Sequence, residues 1–250
     1  QGIIIGDIDN DGLPDLAITN ADAGGNSIRV LRNTSTSGTL NFVNSGNFIT
    51  GSSPYDLALG DLDGDGKLDI ATANYSSKDV SVLLNTSTSG TVSFADKTDF
   101  AIGKSALKIA IGDLNGDGKL DVVVTQSGAA VFILTNTTTT AGTVTFDPKT
   151  DIASTGTSLQ AMIVDIDGDG KIDFATGGSK KIVVFSNGDP FENADLEALS
   201  ISGDGTLSPT FTPSTIAYTA TVSNTITSIT VTPTQTQSNE TATIQVQVNA

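Results

Sequence analysis

The chain has 250 residues, no cysteine, no histidine and a formal net charge of −16. Those absences remove disulfides, thiol nucleophiles, imidazole bases, Ser–His–Asp triads and ordinary zinc sites together. The acidic balance leaves no basic footprint for nucleic-acid phosphates, and no apolar run approaches the ~18 residues of a membrane span.

Val, Ile, Thr, Ser, Gly and Asn dominate, with Thr–Ser clusters between short apolar runs, which is an all-β composition. The text opens on Gln1 and enters a strand almost at once, with no initiator Met, signal peptide or targeting segment, so we expect a piece of a longer protein. The first apolar run, IIIG, leads into DIDNDGLPD (Asp7 to Asp15) and out into LAITN. A third run, SIRVLRN (27–33), a polar turn NTSTSGT (33–39) and a fourth run starting at Phe42 follow. The second unit repeats this order with LALG, DLDGDGKLD (Asp61 to Asp69), IATAN, DVSVLLN (79–85), NTSTSGT (85–91) and a run from Phe94. The third has IAIG, DLNGDGKLD (Asp113 to Asp121), VVVTQ, AVFILTN (130–136), NTTTTAGT (136–143) and a run from Phe146. The fourth has MIV, DIDGDGKID (Asp165 to Asp173), FATGG and KIVVFSN (181–187), and stops after this third strand.

The acidic phrase recurs at intervals of 54, 52 and 52 residues, always between two short apolar, β-branched flanks. It is therefore read as the turn of a β-hairpin. Four short strands in a repeat of this length predict the blades of a β-propeller, since the coils of a linear β-solenoid are usually shorter. The predicted blades cover about 2–50, 51–102, 103–154 and 155–187, and the last is incomplete. The Gly, Pro and Asn cluster of SNGDPFEN marks a break, with a linker at 188–193. From 194 to 250 the text turns to alternating apolar and Thr-rich sequence with Pro-marked turns, which suits a small β-sandwich, cut short at this length.

Fifteen of the 28 acidic residues lie in the four phrases, so one divalent cation per loop would halve the net charge. Ca²⁺ takes about six to eight oxygens, and alternate side chains of a tight loop can converge on one point. In the second copy the expected ligands are Asp61, Asp63, Asp65, the backbone carbonyl of Lys67 and Asp69, with Gly66 making the sharp turn and the Lys67 side chain pointing outward. The equivalent sets are Asp7, Asp9, Asp11, the Leu13 carbonyl and Asp15; Asp113, Asn115, Asp117, the Lys119 carbonyl and Asp121; and Asp165, Asp167, Asp169, the Lys171 carbonyl and Asp173. An EF-hand needs Glu at its twelfth position and flanking helices, whereas Ile18, Thr72, Val124 and Thr176 stand there and the flanks are strands. Plain Asp–Gly turns with solvated acids would also give this text once. Four copies argue against that, because unneutralised clusters of carboxylates repel. About four Ca²⁺ ions are expected, one per loop, and the third loop, with neutral Asn115, should bind more weakly.

The loop DxDxDGxxD inside a β-hairpin, preceded by Gly6, Gly60 and Gly112, resembles the FG-GAP/VCBS repeats of bacterial surface proteins and of integrin α-subunit propellers. The resemblance runs from residue 2 to about 187, and Val164 departs from it by replacing the glycine before the fourth loop. Propellers of that family usually have about seven blades. The text ADLEALSISGDGTLSPTFTPSTIAYTATV is similar to the bacterial cadherin-like β-sandwich repeat, without the acidic linker motifs of true cadherins.

The phenylalanines at 52-residue spacing are read as blade core rather than a carbohydrate-stacking set. Tyr55 and Tyr75 are read as surface or inter-blade residues. The N-x-S/T sequences at Asn33, Asn74, Asn85, Asn136 and Asn239 are read as turns rather than glycan acceptors. The expected function is a non-catalytic, calcium-binding extracellular or cell-surface module for adhesion or ligand binding, of bacterial origin, with an unidentified protein or glycan partner. The alternative is an accessory, substrate-binding region of a secreted glycan-degrading or other hydrolytic enzyme.

Overall fold

A computed structural model describes residues 2–20, 25–128, 130–153, 158–166, 168, 170–178 and 181–185, and five strand segments at 196–201, 206–208, 218–221, 228–235 and 244–247. The expected linker at 188–193 lies outside the described residues, as do Asp167 and Asp169. Every regular element among the described residues is a β-strand, and no helix there is long and apolar enough to cross a membrane.

Three four-stranded antiparallel sheets follow the repeats in chain order. The first is β1 (Ile3–Gly6), β2 (Asp15–Asn20), β3 (Ser27–Asn33) and β4 (Phe42–Ile49). The second is β5 (Pro54–Gly60), β6 (Asp69–Asn74), β7 (Asp79–Leu83) and β8 (Thr98–Ala101). The third is β9 (Ala106–Gly112), β10 (Asp121–Gln126), β11 (Ala130–Leu134) and β12 (Thr150–Ala153). Each is a meander in which neighbours in sequence are neighbours in the sheet, so these are blades of a propeller-like fold. The fourth strand of blades two and three begins later than the sequence suggests. Phe94 and Phe146 sit at isolated bridges opposite Asn85 and Asn136, and regular pairing starts only beyond them.

The first hairpin of every repeat ends on the same pair. Gly6 faces Asp15, Gly60 faces Asp69, Gly112 faces Asp121 and Val164 faces Asp173. The acidic phrase is the connection between those partners, as its flanks predicted.

The chain divides into two compact units. The first comprises Gln1–Gly112, Lys119–Ser127 and Val131–Ile152. Within it β5 packs on β1 and β2, and β9 packs on β5 and β6. Ile8, Ala17, Ile28 and Val30 of the first blade share one core with Leu57, Ile70 and Leu83 of the second. Strand β2 alternates buried and half-buried residues, whereas all six residues of β6 are buried, because the second blade is covered on both faces. Glycines before the loops admit the neighbour. A Cβ on Gly6 would lie 2.6 Å from Leu59 Cδ1, and one on Gly60 would lie 2.8 Å from Ile111 Cγ2 and 2.9 Å from Leu120 Cδ1. Edge-to-face ring pairs, Phe48 with Phe94 and Phe100 with Phe146, both with centroids 4.8 Å apart, join the outer parts of successive blades.

The second unit comprises Asp113–Gly118, Gly128–Ala130 and Ala153–Ala250. Strands β13 (Ser158–Val164), β14 (Asp173–Gly178) and β15 (Lys181–Phe185) form the fourth blade's meander. This sheet continues through β18 (Tyr218–Thr221), antiparallel to β15, and then β17 (Thr206–Ser208). A three-stranded sheet is formed by β16 (Leu196–Ile201), β19 (Ser228–Gln235) and β20 (Ile244–Gln247).

Candidate metal loops

Two left-handed residues shape each loop. Position 6 is Gly12, Gly66, Gly118 and Gly170, with φ between 82° and 90°. Position 4 is Asn10, Gly64, Gly116 and Gly168, also at positive φ. Asn tolerates this conformation better than other side chains. These turns aim backbone N–H groups inward at the first aspartate. Asp61 Oδ1 accepts from the amides of Gly64 at 2.8 Å and Asp65 at 3.1 Å, and its Oδ2 accepts from Gly66 at 2.9 Å. Asp7 likewise accepts from Asp11 and Gly12 at 3.1 and 2.9 Å. Asp113 accepts from Gly116 and Gly118, and Asp165 from Gly168 and Gly170. Position 3 accepts from position 5: Asp63 Oδ1 from the Asp65 amide at 3.1 Å, and Asn115 Oδ1 from the Asp117 amide at 2.9 Å.

The aspartate at position 9 is buried and braces the hairpin. Asp69 Oδ2 accepts from the Leu62 amide and Oδ1 from the Asn85 amide, both at 2.8 Å. Asp15 does the same with Ile8 and Asn33, at 3.0 and 2.7 Å. Asp121 accepts from the Asn136 amide at 2.8 Å, and Asp173 from the Ile166 amide at 2.7 Å. Burial pushes the Asp69 carboxyl up to about 7, against two lowering backbone bonds and with added repulsion from Asp63 and Asp65. Asp15 is raised for the same leading reason, with Asp9 and Asp11 as its charged neighbours.

Among the described residues, carboxylate oxygens converge in two loops. One oxygen each from Asp7, Asp9 and Asp15, and one each from Asp61, Asp63 and Asp65, lie within 4.8 Å of one another. Oxygens around one calcium sit at ~2.4 Å from it, so partners in one shell are separated by at most about 4.8 Å. Both sets meet that limit, and an all-oxygen donor set suits a hard divalent cation. The two triads differ in membership. In the first loop Arg32 lies 3.4 Å from Asp11 Oδ2 and 4.0 Å from Asp9 Oδ2, so Asp11 has a cationic partner. In the second loop Lys67 Nζ turns back to within 3.7 Å of Asp65 Oδ2, instead of pointing outward. In the third loop Asp113, Asn115 and Asp117 belong to the second unit, and Lys119 and Asp121 to the first. In the fourth loop the described ligand candidates are Asp165, Lys171 and Asp173, of which Asp173 is buried.

The asparagines of the N-x-S/T sequences carry more than a turn. Asn33 Nδ2 donates to the Pro14 carbonyl at 2.9 Å. Asn85 Nδ2 donates to the Leu68 carbonyl of its own blade and the Ile8 carbonyl of the preceding loop, both at 2.8 Å. Asn136 Nδ2 repeats this with Leu120 and Leu62, at 3.0 and 2.9 Å. Their recurrence at 33, 85 and 136, at the head of each polar turn, was the available signal.

A family model for the FG-GAP-like repeat matches three overlapping stretches, residues 7–72, 61–124 and 113–176, each running from one acidic loop through the next. A model for the cadherin-like beta sandwich domain matches residues 196–250. No curated protein matches the chain. Among solved structures, the V. cholerae biofilm matrix protein Bap1 is similar at 16% identity and a TM-score of 0.42, over 92% of this chain and 34% of that one. The chain thus spans about a third of the length of that protein.

Proposed function

Since the chain belongs to the FG-GAP-like repeat family, with a cadherin-like domain following the repeats, we propose that it is a non-catalytic, calcium-stabilised module of an extracellular or cell-surface protein, used in adhesion to a protein or glycan. The observation that carries this reading is the convergence of three carboxylate oxygens in each of two successive loops. A bound cation would supply positive charge where the loops gather like charges. The proposed ligands of the loops are those expected from the sequence, and among the described residues the converging sets are Asp7, Asp9 and Asp15 and Asp61, Asp63 and Asp65.

The residues themselves do the rest. Inward backbone amides hold the carboxylates together before any ion arrives, and the position-9 aspartate ties the loop to the end of the third strand. Binding energy is then returned as folding stability. Loops of extracellular modules bind calcium at about 10⁻⁴ to 10⁻³ M, which matches the outside of a cell. The test is thermal unfolding in EGTA and in millimolar Ca²⁺. At calcium ~100-fold above its dissociation constant, one site adds about 2.7 kcal/mol, and the melting temperature should rise by several degrees. An unchanged melting temperature would sink the reading.

A further inference from the structure

Two carboxylate–amide bonds in the first unit cross between blades at the metal loops. Asp9 Oδ2 accepts from the backbone N–H of Gly90 at 3.0 Å, and Asp63 Oδ2 accepts from that of Gly142 at 2.6 Å. Gly90 and Gly142 sit at the tips of the outer hairpins, NTSTSGT and NTTTTAGT, of the blade after each loop. Both have φ of +84°, the left-handed setting that turns the amide toward the carboxylate. At the base of the same hairpins, Asn85 and Asn136 reach back to the carbonyls of Ile8 and Leu62, inside the same two loops. Each of these loops is thus gripped at two points by the next blade.

We propose that the outer hairpins of the second and third blades complete the first and second metal loops, so that ion binding and hairpin docking are one coupled equilibrium running from blade to blade. This rests on the calcium reading above. The position-3 aspartate is the shared element. Its Oδ1 is engaged within the loop, by the amide of Asp11 or Asp65, while its Oδ2 holds the tip glycine. Asp9 and Asp63 are 1% and 8% exposed, so the tip also keeps water from them. An ion that fixes this carboxylate fixes the acceptor of the tip amide, and a docked tip limits the rotamers the carboxylate must give up on binding. The repeats vary in step with this arrangement. The third loop has Asn115 at position 3, and the text after Asn187 in the fourth unit reads GDPFEN, without the Gly–Thr tip of the other three.

Hydrogen exchange of the 250-residue chain, read by mass spectrometry with EGTA and with calcium at ~10 times its dissociation constant, tests the coupling. In the unaltered chain, calcium should slow exchange about tenfold in the loops 7–15 and 61–69 and also in the tips 86–93 and 137–145. Asp65→Ala removes a ligand of the second loop that touches neither tip. It should abolish the calcium response of 61–69 and of tip 137–145, and leave that of loop 7–15 and tip 86–93 intact, which also shows that the variant is folded. Loops that respond while both tips do not, or an Asp65→Ala chain in which tip 137–145 still responds, would overturn the coupling alone. No response at loops or tips would remove the calcium reading and the coupling with it.

Discussion

At the scale of single residues, the loops depend on backbone settings that few side chains accept. Gly66 at φ +85° has open space around its missing Cβ, so the cost of adding one is conformational and not steric. Gly66→Ala should therefore destabilise the chain by about 1–2 kcal/mol in denaturant unfolding, with an unchanged slope. The sequence made position 6 readable through its invariable glycine. Position 4 was harder to read because it is Asn10 in one loop and Gly in three, and only their shared positive φ unites them. The buried aspartates set a pH dependence of the ion-free chain. The Asp69 carboxyl is raised from 3.8 to about 7, so the folded state binds more protons than the unfolded one between those values. Its contribution is fully present below about pH 4 and is lost as pH rises through about 7. In EGTA the melting temperature should fall between pH 5 and pH 8. Calcium favours the charged carboxylate and should shrink or reverse that trend, which a matched pair of melting series would show.

At the scale of elements, blade-to-blade contact is governed by what stands before each loop. Gly60→Val should cost about 1–3 kcal/mol, because Ile111 and Leu120 occupy the space its side chain needs. Val164 is the natural counterpart in the fourth repeat and is 47% exposed, so Val164→Gly should change stability by much less. Paired urea titrations of the two variants would separate these outcomes. Strand periods, the four hairpins and the register of the phenylalanines were legible, since each leaves a local or repeated trace. The partners of those phenylalanines were not. Phe48 meets Phe94 and Phe100 meets Phe146 across a blade boundary, a relation that spacing within one repeat does not encode. The late start of β8 and β12 was not legible either. Asn33, Asn85 and Asn136 all give their backbone amides to the position-9 aspartate, yet Asn33 meets Phe42 inside a regular ladder while Asn85 and Asn136 meet Phe94 and Phe146 at single bridges.

At the scale of the whole molecule, the recurrence of one phrase was enough to specify an all-β repeat protein and the hairpin loops in which acidic side chains gather. It was not enough to foresee the pairing of β15 with β18. The repeat text ends with the third strand of the fourth blade, leaving a row of backbone donors and acceptors on Lys181–Phe185. Such an edge pairs with whatever extended segment reaches it, and Tyr218–Thr221 does so from a stretch with no acidic phrase to announce it. The net charge of −16 is also a property of the whole. With fifteen acids in four loops, the calcium dependence of stability predicted above belongs to the ensemble of loops, because each filled site lowers the repulsion felt by the rest.

Leu59 and Gly60 are consecutive residues of one strand and so point to opposite faces of their blade. Leu59 fills the space at Gly6 on one side, and Gly60 receives Ile111 on the other. The second blade therefore carries a projection and its matching recess back to back. Duplicating the 52-residue segment in a gene duplicates a fitted joint along with it. Chains of this kind can lengthen or shorten by whole repeats without inventing a new contact, and the order of stacking has a built-in direction.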